Sequence, residues 1–246
     1  MDKIEKNVFL SLLNGIFKEN RLSSLLSAER CEKFYELTVY MLSENEKYNL
    51  TAIKEPEKII LNHYADCASI SSCIKEGATL IDVGSGAGFP SLPLAIVRPD
   101  LKILAVDSTA KRVGYINSAA RLLSLDNLSG EVMRAEDGAR LSEYRESFDY
   151  ATARAVAELR VLLELTLPFV KIGGELIAMK GKNARYELAE AKRAVSMLGG
   201  KSAALRDITL TGLGETLTHP LITVTKAAKT PSQYPRPYAQ ISKKPL

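Results

Sequence analysis

The stretch from Thr79 to Pro90, TLIDVGSGAGFP, constrains the fold more than any other part of this chain. Leu80-Ile81-Asp82-Val83 has the length and β-branched content of a buried parallel strand, and Gly84, Gly86 and Gly88 follow with no room for another element. Glycine turns through positive φ and leaves no Cβ between backbone N–H groups and a ligand. A strand-glycine-helix junction of this kind therefore reads as a cradle for a nucleotide-like molecule. The even G-x-G-x-G spacing is not the G-x-G-x-x-G of a dinucleotide fingerprint, and no G-x-x-x-x-G-K-[ST] loop occurs. From the glycines alone, a plain glycine-rich turn stays open as the alternative.

A second acid narrows the ligand. Leu101 to Val106 reads as the next buried strand, and Asp107 stands at its carboxyl end, where an α/β sheet presents residues to a ligand. Twenty-three positions separate Gly84 from Asp107, near the roughly 20-residue interval expected of a ribose-binding acid in a βαβ unit. With Asp82 two residues before the first glycine, the segment resembles motif I of class I S-adenosylmethionine-dependent methyltransferases. Their cofactor has no pyrophosphate and carries a cationic methionine end, so acids beside the loop suit it.

Before Thr79 the pattern is helical: apolar positions recur at helical spacing over residues 3–18 and 28–46, Asn49-Leu50-Thr51 interrupts, and Pro56 opens a further helix to about Ile74. After Thr79 strands alternate with helices, the sign of a parallel sheet with right-handed crossovers. Strands are expected near 79–83, 101–106, 129–134, 148–153, 174–180, 203–211 and 218–225. Helices are expected near 90–98, 109–124, 157–170 and 183–199, with a short one near 138–145. The expected architecture is a helical N-terminal extension over residues 1–76 and an α/β domain over 77–246. Its seven-stranded, mostly parallel sheet ends in an antiparallel hairpin, as in the class I methyltransferase fold.

Composition narrows the function classes. No apolar run approaches the roughly 18 residues of a membrane span, and MDKIEKNVFLSLLNG lacks the apolar core of a signal peptide, so a cytoplasmic protein is expected. Cys31, Cys67 and Cys73 form no CxxC pair and only two histidines exist, so neither a disulfide framework nor a metal site is indicated. Nothing calls for more than a monomer. The net charge of +4 is concentrated at one end: Lys226, Lys229, Arg236, Lys243 and Lys244 lie in the last 21 residues with no acid, leaving 28 bases against 29 acids before them. Tyr234, Tyr238 and four prolines interleave with these charges, a composition suited either to RNA or to a solvated, disordered tail.

Further along the chain, Arg134-Ala135-Glu136-Asp137 follows the third strand, where such a pair can read an adenine edge. Phe89 can wall the same cofactor. Arg154 closes the apolar fourth strand at the place where this fold presents the acceptor, and Lys180 and Lys182 end the fifth, positioned to hold phosphates.

As a set, these residues resemble one bacterial family, the small-subunit ribosomal RNA guanine-N7 methyltransferases, also called glucose-inhibited division protein B. The resemblance rests on Asn49-Leu50-Thr51, His63-Tyr64-Ala65-Asp66, DVGSGAGFP, VDSTAKR, RAED, ATARAVA, MKGK and the terminal SKKPL, nearly the whole chain. It implies S-adenosylmethionine as donor and a guanine N7 in the decoding-region loop of 16S rRNA as acceptor, with 16S rRNA or the small ribosomal subunit as partner. It also implies cofactor contacts from Gly84, Phe89, Asp107, Ser108, Ala135, Glu136 and Arg154, to which the loop reading adds Asp82 and Gly86. Arg154 is the candidate catalytic residue; Lys180, Lys182, Arg236, Lys243 and Lys244 are the candidate RNA contacts. Ser91 departs from the family's usual glycine after Phe-Pro, and the tail RPYAQISKKPL departs from a glycine-bearing basic stretch.

Absent motifs point the same way. The N/D-P-P-F/Y loop of amine methylation is replaced by TARAVA after strand four, and all three cysteines precede Gly84, which disfavours the covalent route to pyrimidine C5. Guanine N7 has an in-plane lone pair and no proton to lose, so positioning can suffice. Ribose 2′-O methylation stays open through Asp149 and Lys180, as does a non-catalytic RNA- or ribosome-binding protein that kept the fold.

Overall fold

The central strands are buried on both faces, and their successive side chains feed two layers of core. The computed structural model describes residues 5–212 and 214–246; the first two residues of the expected 3–18 helix lie outside them. Seven strands form one sheet: β1 (Thr79–Val83), β2 (Lys102–Asp107), β3 (Leu128–Val132), β4 (Phe148–Arg154), β5 (Val170–Met179), β6 (Gly200–Gly212) and β7 (Glu215–Lys226). Their order is β3-β2-β1-β4-β5-β7-β6, with β7 antiparallel to both of its neighbours. Leu80, Ile103, Ala105, Ile177 and Met179 face one layer; Ile81, Val83, Leu104, Val106, Leu176 and Ala178 face the other, as the period of two in a strand requires.

Helices cover both faces. The N-terminal segment supplies α1 (Lys6–Glu19), α2 (Ala28–Tyr48), α3 (Pro56–Ile59) and α4 (Asp66–Ala68); the crossovers supply α5 (Ser91–Val97), α6 (Ala110–Leu122), α7 (Ala135–Gly138), α8 (Leu159–Thr166), α9 (Ala184–Glu190) and α10 (Lys192–Met197); α11 (Tyr238–Lys243) lies near the end. Ser27 caps α2 by accepting from Arg30 N, and Asn49 ends it in the left-handed region at φ 48°. Phe9, Phe17, Phe34 and Tyr64 of the N-terminal segment share one apolar cluster with Leu80, Leu92 and Ile103. Asn20 reaches the far hairpin, donating to Thr211 O and accepting from Thr211 N.

The structure corrects several local expectations. The helix opened by Pro56 widens into a π turn over Ile60–Ala65 and ends at Ala68, before the expected Ile74. The short helix expected at 138–145 forms earlier, as α7, directly after β3. The helix expected over 183–199 is two helices broken at Ala191. β5 begins at Val170 and pairs irregularly with β4 around Phe148.

The basic tail is packed, not a solvated strand. Tyr234 and Ile241 are buried, Arg145 donates to the carbonyls of Thr230 and Tyr234, and Lys226 donates to Leu167 O and Thr230 Oγ1. Arg236, expected at RNA, is engaged by the protein itself, with about a fifth of its side chain left exposed. Its Nε and Nη2 donate to the two carboxylate oxygens of Glu164 at 2.8 and 2.7 Å, and its backbone N–H adds a third bond at 2.8 Å. Glu164 is fully buried, and a buried carboxylate is stable only when its charge is matched.

Arg236→Ala should therefore cost about 3 kcal/mol of stability and release the tail. Denaturant unfolding with amide exchange over 230–246 measures both; unchanged protection there would remove the anchoring role.

Candidate functional site

The carboxyl ends of β1, β2 and β4 lie side by side, and the strand order reverses between β1 and β4. Crevices for ligands open at such a point. Here the turn after β1 is held open by glycine. Gly84 has φ +70°, and a Cβ added to it would stand 2.8 Å from Val156 Cγ2; Gly88 has φ +83° and a Cβ there would press into Leu92. The N–H groups of Gly84 and Ser85 both donate to Val106 O, which clips the turn to the neighbouring strand.

The two acids on either side of this turn do different work. Asp107 is at the cavity, nearly buried, with Oδ2 accepting from Gly86 N at 3.0 Å, Oδ1 accepting from Thr109 N at 2.8 Å, and Arg112 Nη1 3.5 Å away. Asp82 is fully buried behind the turn, where it accepts from Ser91 N and Thr152 Oγ1, both at 3.2 Å. Burial pushes its carboxyl up to about 7, against the hydrogen bonds from Ser91 and Thr152, which favour the anion. Asp82, expected to touch the cofactor, is thus a brace between the glycine turn and the start of α5.

A cavity of about 380 Å³ lies in front of the turn, and Gly84, Asp107, Ser108, Ala135, Glu136 and Tyr238 line it. Five of those six were expected from the sequence. Tyr238 belongs to the tail whose composition suits either RNA or solvent; it reaches the cavity because Arg236 pins the chain just before α11. The only sequence signal for it was an aromatic residue among prolines and basic residues.

Phe89 and Arg154 are not on that wall. Phe89 stacks on His63 with centroids 4.4 Å apart, and the guanidinium carbon of Arg154 lies 5.6 Å from the Phe89 centroid. Arg154 turns inward. Its Nη1 donates to Asp66 Oδ2 at 2.9 Å and to Asn62 O at 3.1 Å, and its Nη2 lies 2.8 Å from His63 Nδ1. Burial, and then the Arg154 charge, lower the His63 pKa to about 4, so the ring is neutral near pH 7 and can accept from the guanidinium. His219 Nδ1 stands 2.9 Å from Asp66 Oδ1 without hydrogen-bond geometry. The π turn at Ile60–Ala65 carries His63 in this group, a placement that no period in the sequence announces.

Of the expected phosphate cations, Lys180 is also internal: Nζ donates to Ala157 O at 2.5 Å and pairs with Glu187 at 2.7 Å, with only 8% of the side chain exposed. A buried amine at a strand end is matched by the nearest carboxylate first. Lys182, Lys243 and Lys244 are exposed. Among the described residues no cluster of histidine, cysteine and acidic side chains could hold a metal, and no helix is long and apolar enough to cross a membrane.

Asp107→Ala should weaken S-adenosylmethionine binding by about 1–3 kcal/mol, the cost of leaving a polar partner unmatched; calorimetry showing unaltered affinity would exclude the role. Asp82 makes a pH prediction. Because its folded pKa is raised from 3.8 to about 7, its contribution to stability is full at low pH and is lost as pH rises through 7. The stability of Asp82→Asn relative to the parent should therefore climb between pH 4 and 7 and then level off. His63 titrates in the opposite sense in both proteins and cancels in the difference; a flat difference would remove the shift.

A family model described as rRNA small subunit methyltransferase G matches residues 30–211. The protein named Ribosomal RNA small subunit methyltransferase G from Clostridium perfringens is 43% identical over 220 residues, covering 87% of this chain and 91% of its own. Its namesake from Desulfitobacterium hafniense is 43% identical over 235 residues, covering 95% and 97%. In fold, the chain is similar to a SAM-dependent O-methyltransferase from Thermotoga maritima, with TM-score 0.51, 15% identity and 77% and 72% of the two chains covered. It is likewise similar to M. jannaschii TYW2 in complex with AdoMet, with TM-score 0.50, 17% identity and 65% and 72% covered. With a family match over nearly three quarters of its length and relatives aligned nearly end to end, this chain belongs to the rRNA small subunit methyltransferase G family.

Proposed function

We propose that this chain transfers the methyl group of S-adenosylmethionine to N7 of a specific guanine in 16S rRNA, on the rRNA or the small ribosomal subunit in the cytoplasm. The observation that carries this reading is one cavity that joins the open Gly84 turn, Asp107 and the Ala135-Glu136 pair in a chain of this family. At about 380 Å³ it falls in the size class of small-ligand sites.

The residues fit the cofactor's parts. Asp107 offers a carboxylate to the ribose, and the first turn of α7 leaves N–H groups without intrahelical partners beside Glu136, suited to an adenine edge. When bound, S-adenosylmethionine supplies a methyl group on a cationic sulfur. Guanine N7 needs no base to remove a proton, so the protein's task is alignment and exclusion of water. Arg154 serves as a positioning residue in this reading: it holds the π turn, and through His63 and Phe89 the far side of the glycine turn, in one arrangement.

The ribose 2′-O alternative loses its support. Asp149 bonds Thr79 and Lys171 at the opposite end of β4 from Arg154, about 17 Å away by strand rise, and Lys180 is already paired. A purely binding protein would have no use for a cavity that brings Asp107 against an open glycine turn.

Cells lacking this chain should lose chemical cleavage at N7-methylguanine in 16S rRNA, and purified protein with S-adenosylmethionine should restore it on their small subunits. An unchanged cleavage signal would overturn the proposal.

A further inference from the structure

Ala155 and Val156 leave β4 through a residue at φ +56°, Ala155, and they serve two cavities at once. On one side they line the site with Asp107; on the other they line a second cleft of about 570 Å³, whose other walls include Glu158, Arg160, Asn183, Tyr186 and Glu187. A group in the second cleft and a ligand in the first would be divided only by this short ridge.

The cleft is built before any ligand arrives. Lys180 ties Ala157 O to Glu187, and Glu187 Oε2 accepts from Leu159 N at 2.8 Å, so the exit of β4 and the helix α9 are locked across it. On this fixed wall Tyr186 is 71% exposed, the most exposed of the large apolar side chains described. An aromatic face left open beside a reaction site is a platform for an unpaired base, since every base has a π face and enzymes that modify bases take them out of the helix. The N7 edge of a paired purine lies in the deep, narrow groove of A-form RNA, out of reach of side chains.

Polar groups in the cleft select among bases. Glu187 is occupied by Lys180 and Leu159. Glu158 is about a third exposed, and its Oε1 accepts from Arg160 Nε at 2.8 Å. A carboxylate complements the N1–H and N2–H donors of guanine and opposes the N1 acceptor of adenine. Binding by that edge leaves N7 on the free side of the purine. Lys182, exposed one residue before Asn183, offers its charge to the adjoining phosphates.

We propose that this cleft seats the acceptor base as an extruded guanine, stacked on Tyr186 and read at its Watson–Crick edge by Glu158. The inference rests on the guanine-N7 reading above and names the residues that choose the base.

The test uses the full chain, small subunits from cells lacking it, and labelled S-adenosylmethionine, with the methylated atom mapped by cleavage. Tyr186→Ala should lower kcat/KM for the subunit at least tenfold, Tyr186→Phe should restore most of it, and Glu158→Gln should lower it at least fivefold. The affinity of all three for S-adenosylmethionine, read by calorimetry, should stay within twofold of the parent, which a general loss of structure would not allow. Parental activity in Tyr186→Ala, or a matching loss of cofactor affinity, would overturn the cleft assignment while leaving the guanine-N7 reading in place. Methylation by the parent at an atom other than guanine N7 would overturn both.

Discussion

The guanidinium of Arg154 ties together three stretches far apart in the chain: the end of β4, the π turn carrying Asn62 and His63 with Asp66 just after it, and Phe89 of the glycine turn. A charge this enclosed is tolerated only when its donors meet acceptors, and the acceptors come from the N-terminal helices. The sheet end therefore depends on those helices for more than apolar cover. Asp66 in turn would be an uncompensated carboxylate without Arg154, so each side of the contact fixes the other. Near pH 7 His63 remains neutral beside that charge, which keeps it an acceptor and not a competing cation.

Around this hub the glycine turn is gripped from both sides. Asp107 takes Gly86 N at the open side, and Asp82 takes Ser91 N from behind, so two carboxylates hold the two ends of one short loop. Their environments differ, and so does their chemistry. Asp107 stands at the cavity, where solvent and ligand can reach it. Asp82 has no contact with solvent and its carboxyl is pushed toward neutrality. A brace of that sort sets the backbone of the loop without spending its position on the ligand.

The tail shows how basic residues near a site divide between structure and surface. Arg236, partly exposed, pairs with the buried Glu164, and the buried Lys226 pairs with Glu146; together they fold the last residues back over α8. That return brings Tyr238 to the cavity and leaves Lys243 and Lys244 exposed at the end of α11. Lys180 and Lys182, two residues apart, divide in the same way: one locks the ridge beside the second cleft, the other faces solvent.

Much of this was legible in the residues. Local spacing determined the seven strands, the glycine turn after β1, Asp107 at the end of β2, the Ala135-Glu136 pair after β3 and the closing hairpin, because period, strand length and turn chemistry are properties of neighbours in sequence. What spacing cannot encode is which distant charge will answer a buried one. The pairings of Arg154 with Asp66, Arg236 with Glu164 and Lys180 with Glu187 bring together residues 88, 72 and 7 positions apart. They turned three expected ligand contacts into supports. The π turn, Tyr238 at the cavity in front of the glycine turn and Tyr186 across the ridge belong to the same class. Their positions follow from how whole elements pack, since burial in the folded protein decides which polar side chains must find partners and which are left to meet a ligand.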